Sequence, residues 1–409
     1  MKITEVETFV VGNPPPGFGG RYFVFVKLTT DDGIVGHGEA YAATFSPHIV
    51  AAMLVDVAEH HLVGRDPFHV ERFWRSAYGR GFTLRPDVTL QGVMSALEMA
   101  CWDIIGKALD KPVYELLGGR VQERLRSYTY LYPKPDDATD VYLDPDLAAA
   151  RAVEEVERGF TAVKFDPTGP YSAMGGHQPS LERLDLSVRF MKTLRAAVGT
   201  RADLLLGTHG QFTSGGALRL ARHIEPYDPL WFEEPVPPDN VPEMAKVARQ
   251  TSIPIAAGER LTTKAEFTRL LEAKAVSIVQ LNLARAGGIL EGKKIASIAE
   301  AFGAQIAPHL YNGPIGGAAN VQLAACSPNF LILESIQDWS GIHADLLEKA
   351  MTWENGYVIP PTEPGLGVVL NEEVARAHPY TGGELHLSMA EDAIDVADRD
   401  VLRPGGVDD

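Results

Sequence analysis

An alternation of short apolar strands with amphipathic helices begins near residue 125, and it most constrains how this chain folds. In the segments between the strands, such as DLAAARAVEEVERG and TKAEFTRLLEAKA, the apolar residues recur with helical periodicity. Repeats of this length predict an α/β fold with a parallel (β/α)8 barrel, and a doubly wound sheet is the alternative. The eight predicted strands end near Tyr132, Asp166, Thr208, Glu233, Glu259, Asn282, His309 and Glu334.

The segments on either side of the alternation have other patterns. Residues 1–122 predict an α+β domain, with a hairpin over 21–41 and amphipathic helices over 46–64 and 88–110. Residues 123–354 contain the predicted barrel. Residues 355–409 begin rich in Pro and Gly and no longer alternate, and we expect them to return to the N-terminal domain.

Charge and cysteine content favour a cytoplasmic enzyme with a small-molecule partner. The net charge of −17 argues against nucleic acid or a membrane as a partner. Cys101 and Cys326 are too few and too far apart for a disulfide framework, which suits a reducing compartment. We expect neither a signal peptide nor an apolar run long enough to span a bilayer.

Polar side chains lie at the carboxyl ends of most of the predicted strands. In a parallel barrel the carboxyl ends of the strands share one mouth, so these side chains meet there. Carboxylates without cysteine predict Mg²⁺ or Mn²⁺ rather than zinc. Two histidines beside such an ion indicate proton transfer on a polarised substrate, whereas a solvated rim would explain only one or two polar ends.

The sequence also resembles a known family. The segments WFEEP (231–235), AAGER (256–260) and SALEMACWDIIGKALDKPVYELLGG (95–119), with AGG at 286–288 and His309, are similar to the mandelate racemase branch of the enolase superfamily. The resemblance covers nearly the whole chain. It implies a barrel with an N-terminal capping domain, Mg²⁺ at the ends of strands three to five, and an enediolate formed by removal of the proton α to a carboxylate.

The resemblance also implies a role for each matching residue. Glu233 and Glu259 match metal ligands, with Glu234 as the alternative to Glu233. His209 and His309 match the acid/base histidines of galactonate-dehydratase-like members on strands three and seven. Two further catalytic positions match as well, namely Lys164, which supports the site electrostatically, and Glu334, which bonds the substrate carboxylate.

Three positions depart from the family pattern. Asp166 replaces the usual second lysine of strand two, Gly207 replaces the metal-binding aspartate of strand three, and Asn282 replaces the aspartate of strand six. Either the site has decayed, or Asp166 supplies the missing metal ligand from the neighbouring strand, which is the prediction we favour. We expect the amide oxygen of Asn282 to accept Nδ1–H of His309 and to leave this histidine a weaker base.

Further predictions concern substrate contacts. Arg260 could contact substrate or pair with the carboxylates, and Tyr41, Asn282 and the PPPGFGG loop (14–20) match substrate-facing positions. His177 lies on a long loop after strand two, where it could form part of a lid.

Together these features predict a Mg²⁺-dependent lyase that dehydrates a hydroxylated sugar acid to a 2-keto-3-deoxy acid. One histidine removes the α-proton and the other protonates the leaving hydroxyl, with His209 favoured as base. A cycloisomerase or epimerase acting on a sugar-acid lactone or anhydro sugar is the enzymatic alternative, and a non-catalytic sugar-acid-binding protein is the other. Relatives are usually homo-oligomers, and we expect the same here.

Overall fold

The computed structural model describes residues 1–41, 44–82, 84–166, 168, 171–174 and 177–391. Three N-terminal strands, β1 (Ile3–Gly12), β2 (Tyr22–Thr30) and β3 (Val35–Ala40), form an antiparallel sheet in chain order. The hairpin predicted over 21–41 is confirmed, since β2 pairs with β3 along its length. Gly33 provides the left-handed residue that its turn requires, at φ 82°.

Four helices complete this domain: α1 (Pro47–His61), α2 (Val70–Gly79), α3 (Val88–Ala108) and α4 (Val113–Leu116). Helix α3 approaches β3 so closely that a Cβ on Gly38 would lie 1.8 Å from the carbonyl oxygen of Ala96. By length and composition alone, α3 is long and apolar enough to cross a membrane, so the expectation that no apolar run could span a bilayer is wrong. Its residues are mostly buried in the interior, where an apolar surface packs against the sheet.

Eight parallel strands follow, as the alternation predicts. Pairing runs in chain order from the first to the seventh, and the eighth pairs with the first. A bridge from Ile306 to Phe330 joins the seventh strand to the segment before the eighth, which closes the barrel. The strands are β4 (Leu125–Tyr130), β5 (Ala162–Phe165), β6 (Asp203–Gly207), β7 (Trp231–Glu233), β8 (Ile255–Ala257), β9 (Ile278–Val279), β10 (Gln305–Ile306) and β11 (Leu333–Glu334).

The strands end up to three residues before most of the predicted ends, so several functional residues lie on the loops that follow. Helices cover the outside of the barrel, and the one after β11 has only four residues. They are α5 (Pro145–Arg158), α6 (Leu181–Val198), α7 (Ser214–Ile224), α8 (Val241–Ala248), α9 (Thr263–Glu272), α10 (Ile289–Ala301), α11 (Pro314–Ala325) and α12 (Ile342–Asp345), with a 3-10 turn at Glu225–Tyr227.

The C-terminal segment contacts both parts of the molecule. Strands β12 (Trp353–Glu354) and β13 (Tyr357–Val358) form a hairpin, and β13 pairs antiparallel with β4. Helix α13 (Glu372–Ala377) packs against β1, and Tyr380 N–H donates to the carbonyl of Val10 at 3.0 Å. Residues 392–409 of the segment expected to return to the N-terminal domain lie outside the described residues.

Candidate active site

A ring of buried side chains in the barrel interior sets the positions of the polar residues above it. Each strand region contributes one member to this apolar cluster: Tyr128, Ala162, Leu205, Trp231, Ala256, Ile278, Ala307 and Ile332. Because side chains alternate across a strand, residues two positions later face the same interior, one layer nearer the mouth. That next layer consists of Tyr130, Lys164, Gly207, Glu233, Gly258, Gln280, His309 and Glu334.

Glu233 is held firmly within this layer. Its Oε1 accepts a 2.6 Å bond from Lys164 Nζ, and its Oε2 accepts bonds from Gln280 Nε2 at 2.8 Å and Trp231 Nε1 at 3.1 Å. Lys164 also lies 3.7 Å from Oε1 of Glu334. Burial acts to lower the pKa of Lys164, but the neighbouring carboxylates outweigh it and raise the pKa. Lys164 is therefore a fixed cation rather than a base.

Glu259, His309 and Glu334 meet beside this pair. Nε2 of His309 lies 3.2 Å from Oε2 of Glu259 and 3.8 Å from Oε2 of Glu334. Burial lowers the pKa of His309 to about 3, although Glu259 acts in the opposite direction. Burial raises the pKa of Glu334 to about 7, although Lys164 acts to lower it. His309 is thus neutral at neutral pH, and Glu334 exchanges its proton in that range.

Three donors in the mouth suit a divalent cation. One ligand atom each from His209, Glu233 and Glu259 lies within 4.8 Å of the others. Oε2 of Glu259 is buried, and although Nε2 of His309 lies 3.2 Å away, no described residue donates an aligned hydrogen bond to this oxygen, which leaves it able to bind a ligand. Two carboxylates match the preference of Mg²⁺ and Mn²⁺ for oxygen. Asp166 is outside this group, and its role as a metal ligand stays a prediction.

Asp166 contacts His209 instead. Its Oδ2 lies 3.4 Å from Nδ1 of His209, which has a left-handed backbone at φ 48°. A Cβ at Gly207 would lie 2.2 Å from Oδ1 of Asp166 and 3.0 Å from the hydroxyl of Tyr130. The Asp166 carboxylate therefore fills the space that a side chain at position 207 would need, and the substitutions at 166 and 207 are sterically linked.

The predicted contact between Asn282 and His309 is present, but its polarity is the reverse of the expectation. Oδ1 of Asn282 accepts a 2.9 Å bond from the backbone N–H of Ala284. The amide nitrogen of Asn282 is therefore the atom that faces Nδ1 of His309, at 2.9 Å. Asn282 donates to this histidine rather than accepting from it, because its oxygen is already committed to the backbone.

Arg260 and Tyr41, both predicted to contact substrate, differ from each other in what they contact. Arg260 donates to Oε2 of Glu234 through both Nε, at 2.8 Å, and Nη2. Its guanidinium is thus engaged in an ion pair, which was the alternative to substrate contact. Tyr41 is buried, and its ring lies 6.2 Å from that of His309, so the N-terminal domain reaches this histidine.

Sequence reasoning missed Arg285, which lies in the turn after β9. Its guanidinium carbon is 4.0 Å from the centre of the Tyr41 ring, and Nη1 donates to the carbonyl of Glu259 at 3.2 Å. The buried Nε has no hydrogen-bond partner, and no described carboxylate forms an ion pair with this guanidinium. Its position three residues after Asn282 was the available signal.

Loops from three regions cover the mouth. Phe18 of the PPPGFGG loop stacks on Tyr132 with ring centres 4.1 Å apart. His177 N–H donates to the carbonyl of Gln211 at 2.9 Å, which ties the loop after β5 to the turn after β6. From the C-terminal segment, buried His386 lies 5.1 Å from the ring of Tyr41, a contribution that sequence reasoning did not anticipate.

Comparisons with known proteins give matches over most of the chain. Residues 17–118 match the mandelate racemase / muconate lactonizing enzyme N-terminal domain, and residues 148–374 match the enolase C-terminal domain-like family. A D-xylonate dehydratase of Haloferax volcanii is 35% identical, covering 94% of this chain and 90% of its own length. A D-galactonate dehydratase of Ralstonia nicotianae is 36% identical, and the match covers 91% of this chain and 93% of that protein. The crystal structure of a mandelate racemase/muconate lactonizing enzyme from Sulfitobacter sp. is 53% identical with a TM-score of 0.94, and the match covers 97% of this chain and 100% of that one.

Proposed function

This chain belongs to the mandelate racemase / muconate lactonizing enzyme family, and we propose that it is a divalent-metal-dependent dehydratase of a sugar acid. The observation that carries the proposal is the meeting of two histidines, His209 and His309, with the carboxylates of Glu233 and Glu259 at one end of the barrel. β-Elimination requires both a base and an acid, and two histidines supply both.

Glu233 and Glu259 would hold the cation, with water or substrate oxygens completing its coordination. A bound Mg²⁺ or Mn²⁺ ion supplies Lewis acidity that makes the proton α to a carboxylate easier to remove. Asp166 remains the third ligand suggested by the sequence. The hydrogen bonds that fix Glu233 support the proposal, because a ligand held by Lys164 and Gln280 needs little reorganisation when the ion binds.

Several residues of this chain would bind and orient the substrate. Lys164 places a fixed positive charge near the position of the developing negative charge. Glu334 would bond the substrate carboxylate in its protonated form, which its raised pKa makes available. Arg285, whose buried Nε has no described partner, would contact a substrate oxygen. The covering loops would limit the access of water to the site.

The substrate class follows from the relatives. Proteins about one third identical over most of this chain are dehydratases of D-xylonate, D-galactonate and D-gluconate. We therefore propose a polyhydroxylated monocarboxylate or a closely related sugar acid. A homo-oligomeric state, the identity of the metal as Mg²⁺ and a cytoplasmic location remain predictions.

A substrate screen tests this function. Purified protein with Mg²⁺ is incubated with pentonates, hexonates, aldarates and their lactones, and 2-keto acid products are measured. Formation of a 2-keto-3-deoxy acid that stops when the metal is chelated is the expected result. Consumption of a lactone or change of a stereocentre without loss of water would favour the cycloisomerase or epimerase. Binding without turnover of any acid would favour the non-catalytic alternative.

A further inference from the structure

We infer that Arg285 and His386 bind a second carboxylate of the substrate, at the end of the carbon chain remote from the metal. The sugar acid would then be an aldarate, which carries a carboxylate at each end. The inference rests on the proposed dehydratase function and narrows the class of sugar acid proposed above. It also predicts a difference from the relatives, whose names give the monocarboxylates D-xylonate, D-galactonate and D-gluconate.

Arg285 is a buried cation without an anionic partner. Only 6% of its surface is exposed, and its buried Nε has no hydrogen-bond partner among the described residues. Nη1 donates to a backbone carbonyl, that of Glu259, and no described carboxylate forms an ion pair with the guanidinium. An unpaired charge is costly to bury, so this arrangement indicates that a negatively charged ligand binds here.

The C-terminal segment places a second unpartnered group beside this arginine. The imidazole of His386 lies 5.1 Å from the ring of Tyr41, and the guanidinium carbon of Arg285 lies 4.0 Å from the centre of the same ring. His386 is 3% exposed, and its Nδ1 has no described hydrogen-bond partner. Burial lowers the pKa of His386 to about 3, and the positive charge of Arg285 acts in the same direction. The neutral ring donates one N–H to an anion, and Arg285 supplies the charge.

The PPPGFGG loop holds His386 in this position. Gly20 has a left-handed backbone at φ 105°, and a Cβ at this residue would lie 1.4 Å from Cε1 of His386. Nη1 of Arg21 donates to the carbonyl of Leu385 at 3.1 Å, next to the histidine in the chain. This subsite is therefore assembled from the loop before β2, the turn after β9 and the C-terminal segment.

Tyr41 connects this subsite to the metal end of the mouth. Its ring lies 6.2 Å from that of His309, whose Nε2 is 3.2 Å from Oε2 of Glu259. A substrate carboxylate at the metal end has the cation and Lys164 as its counter-charges, which leaves Arg285 available for a group further along the chain. The planar guanidinium matches a carboxylate through two parallel hydrogen bonds, whereas a terminal hydroxyl would leave its charge unpaired.

A binding experiment tests the subsite without turnover. The probe 2-hydroxyadipate has a carboxylate at each end and no β-hydroxyl to lose, and 2,6-dihydroxyhexanoate has the same carbon chain with a hydroxyl at the remote end. Titration calorimetry of the Mg²⁺-loaded protein measures both affinities. We expect wild type to bind 2-hydroxyadipate about 10- to 100-fold more tightly. The net charge of −17 opposes this preference, so nonspecific attraction would not produce it.

Variants assign the preference to the two side chains. Arg285→Gln should reduce it to about threefold or less, and Arg285→Lys, which keeps the charge without the planar fork, should have an intermediate preference. His386→Phe keeps a ring but no N–H, and it should weaken binding of 2-hydroxyadipate about 2- to 10-fold without affecting the other probe. The exposed residues provide matched controls in Arg201→Gln and His378→Phe, which should bind both probes as wild type does.

Turnover supplies an independent measurement. Each aldonate is compared with the aldarate of matching configuration, in the pairs D-gluconate and D-glucarate, D-galactonate and galactarate, and D-xylonate and xylarate. We expect the best substrate to be an aldarate, with kcat/KM at least about tenfold above that of its aldonate. Arg285→Gln should remove this difference mainly by raising KM for the aldarate.

The inference is overturned if wild type binds the two probes equally, or if Arg285→Gln retains the wild-type preference. A higher kcat/KM for an aldonate than for every aldarate also overturns it. The same holds if 6-phospho-D-gluconate is the best substrate, because the second anionic group would then be a phosphate. If wild type prefers 2-hydroxyadipate but dehydrates none of the acids, the subsite is supported and the proposed dehydratase function fails, which is a distinct result.

Discussion

Lys164 Nζ donates a 2.6 Å hydrogen bond to Oε1 of Glu233, and both side chains are buried in the barrel interior. Two further carboxylates, Glu259 and Glu334, lie in the same mouth. The lysine is thus a fixed positive charge that contacts Glu233 and Glu334 within a strongly acidic cluster. Buried ion pairs of this kind become costly when one member is removed, since the remaining charge has no partner.

Replacing Lys164 with Met should therefore destabilise the metal-free protein by about 3–5 kcal/mol. Urea unfolding followed by circular dichroism measures the effect, with Lys192→Met on the exposed face of α6 as the control. Added Mg²⁺ should recover more stability in the variant than in the wild type, because the ion neutralises the same carboxylates. An unfolding midpoint equal to that of the control would show that Lys164 does not stabilise this cluster.

Metal binding should stabilise the folded protein through Glu259. After treatment with chelator, Mg²⁺ at about 100 times its dissociation constant should raise the free energy of unfolding by about 2.7 kcal/mol. Glu259→Gln should remove most of this gain, because the neutral amide is a poorer cation ligand than the carboxylate. Thermal unfolding with and without Mg²⁺ measures it, and an undiminished gain in Glu259→Gln would place the ion elsewhere.

Arg285 should contribute mainly to substrate binding. A hydrogen bond to a charged group contributes about 1.5–3 kcal/mol, so Arg285→Gln should raise KM about 10- to 100-fold. Steady-state kinetics on a dehydrated sugar acid measure the change, and Arg201→Gln, an exposed arginine, is the control. If KM is unchanged and only unfolding is affected, the role of Arg285 is to hold Tyr41 of the capping domain against the barrel.

Glu39 should produce a pH dependence of stability that does not involve the metal site. This buried residue of β3 accepts bonds from the backbone N–H groups of Gly313 and Gly316 at the start of α11. Burial raises the pKa of Glu39 to about 7 from its ordinary value of 4.5, although these two bonds act to lower it. The folded state therefore holds the proton more tightly than the unfolded state does.

The direction of the pH dependence of stability follows from this difference in the pKa of Glu39 between the folded and unfolded states. The stabilising contribution of the protonated form is complete below pH 4.5 and is lost as the pH rises through about 7, a change on the order of 3 kcal/mol. Glu39→Gln cannot titrate, so its urea midpoint should vary less over this range than that of Glu5→Gln, the exposed control. Equal slopes in the two variants would contradict the assignment.

The barrel and the identity of its polar residues could be predicted because both depend on local sequence. Strand-helix alternation predicts the parallel barrel, and the period-two spacing within each strand places Lys164, Glu233 and Glu334 in one interior layer. Arg285 and His386 were missed because they are positioned by loops and by the C-terminal segment. No periodicity in the chain specifies where such segments return.

The sequence by itself determined the fold, the family and the substitutions at Asp166, Gly207 and Asn282. Only the tertiary structure decided which atoms these three residues contact. The space above Gly207 admits the Asp166 carboxylate, and a backbone N–H at Ala284 turns the Asn282 amide so that it donates to His309. Contacts of this kind join atoms from different strands or from the loops after them. They depend on distances of a few tenths of an ångström, which residue identity and spacing do not specify.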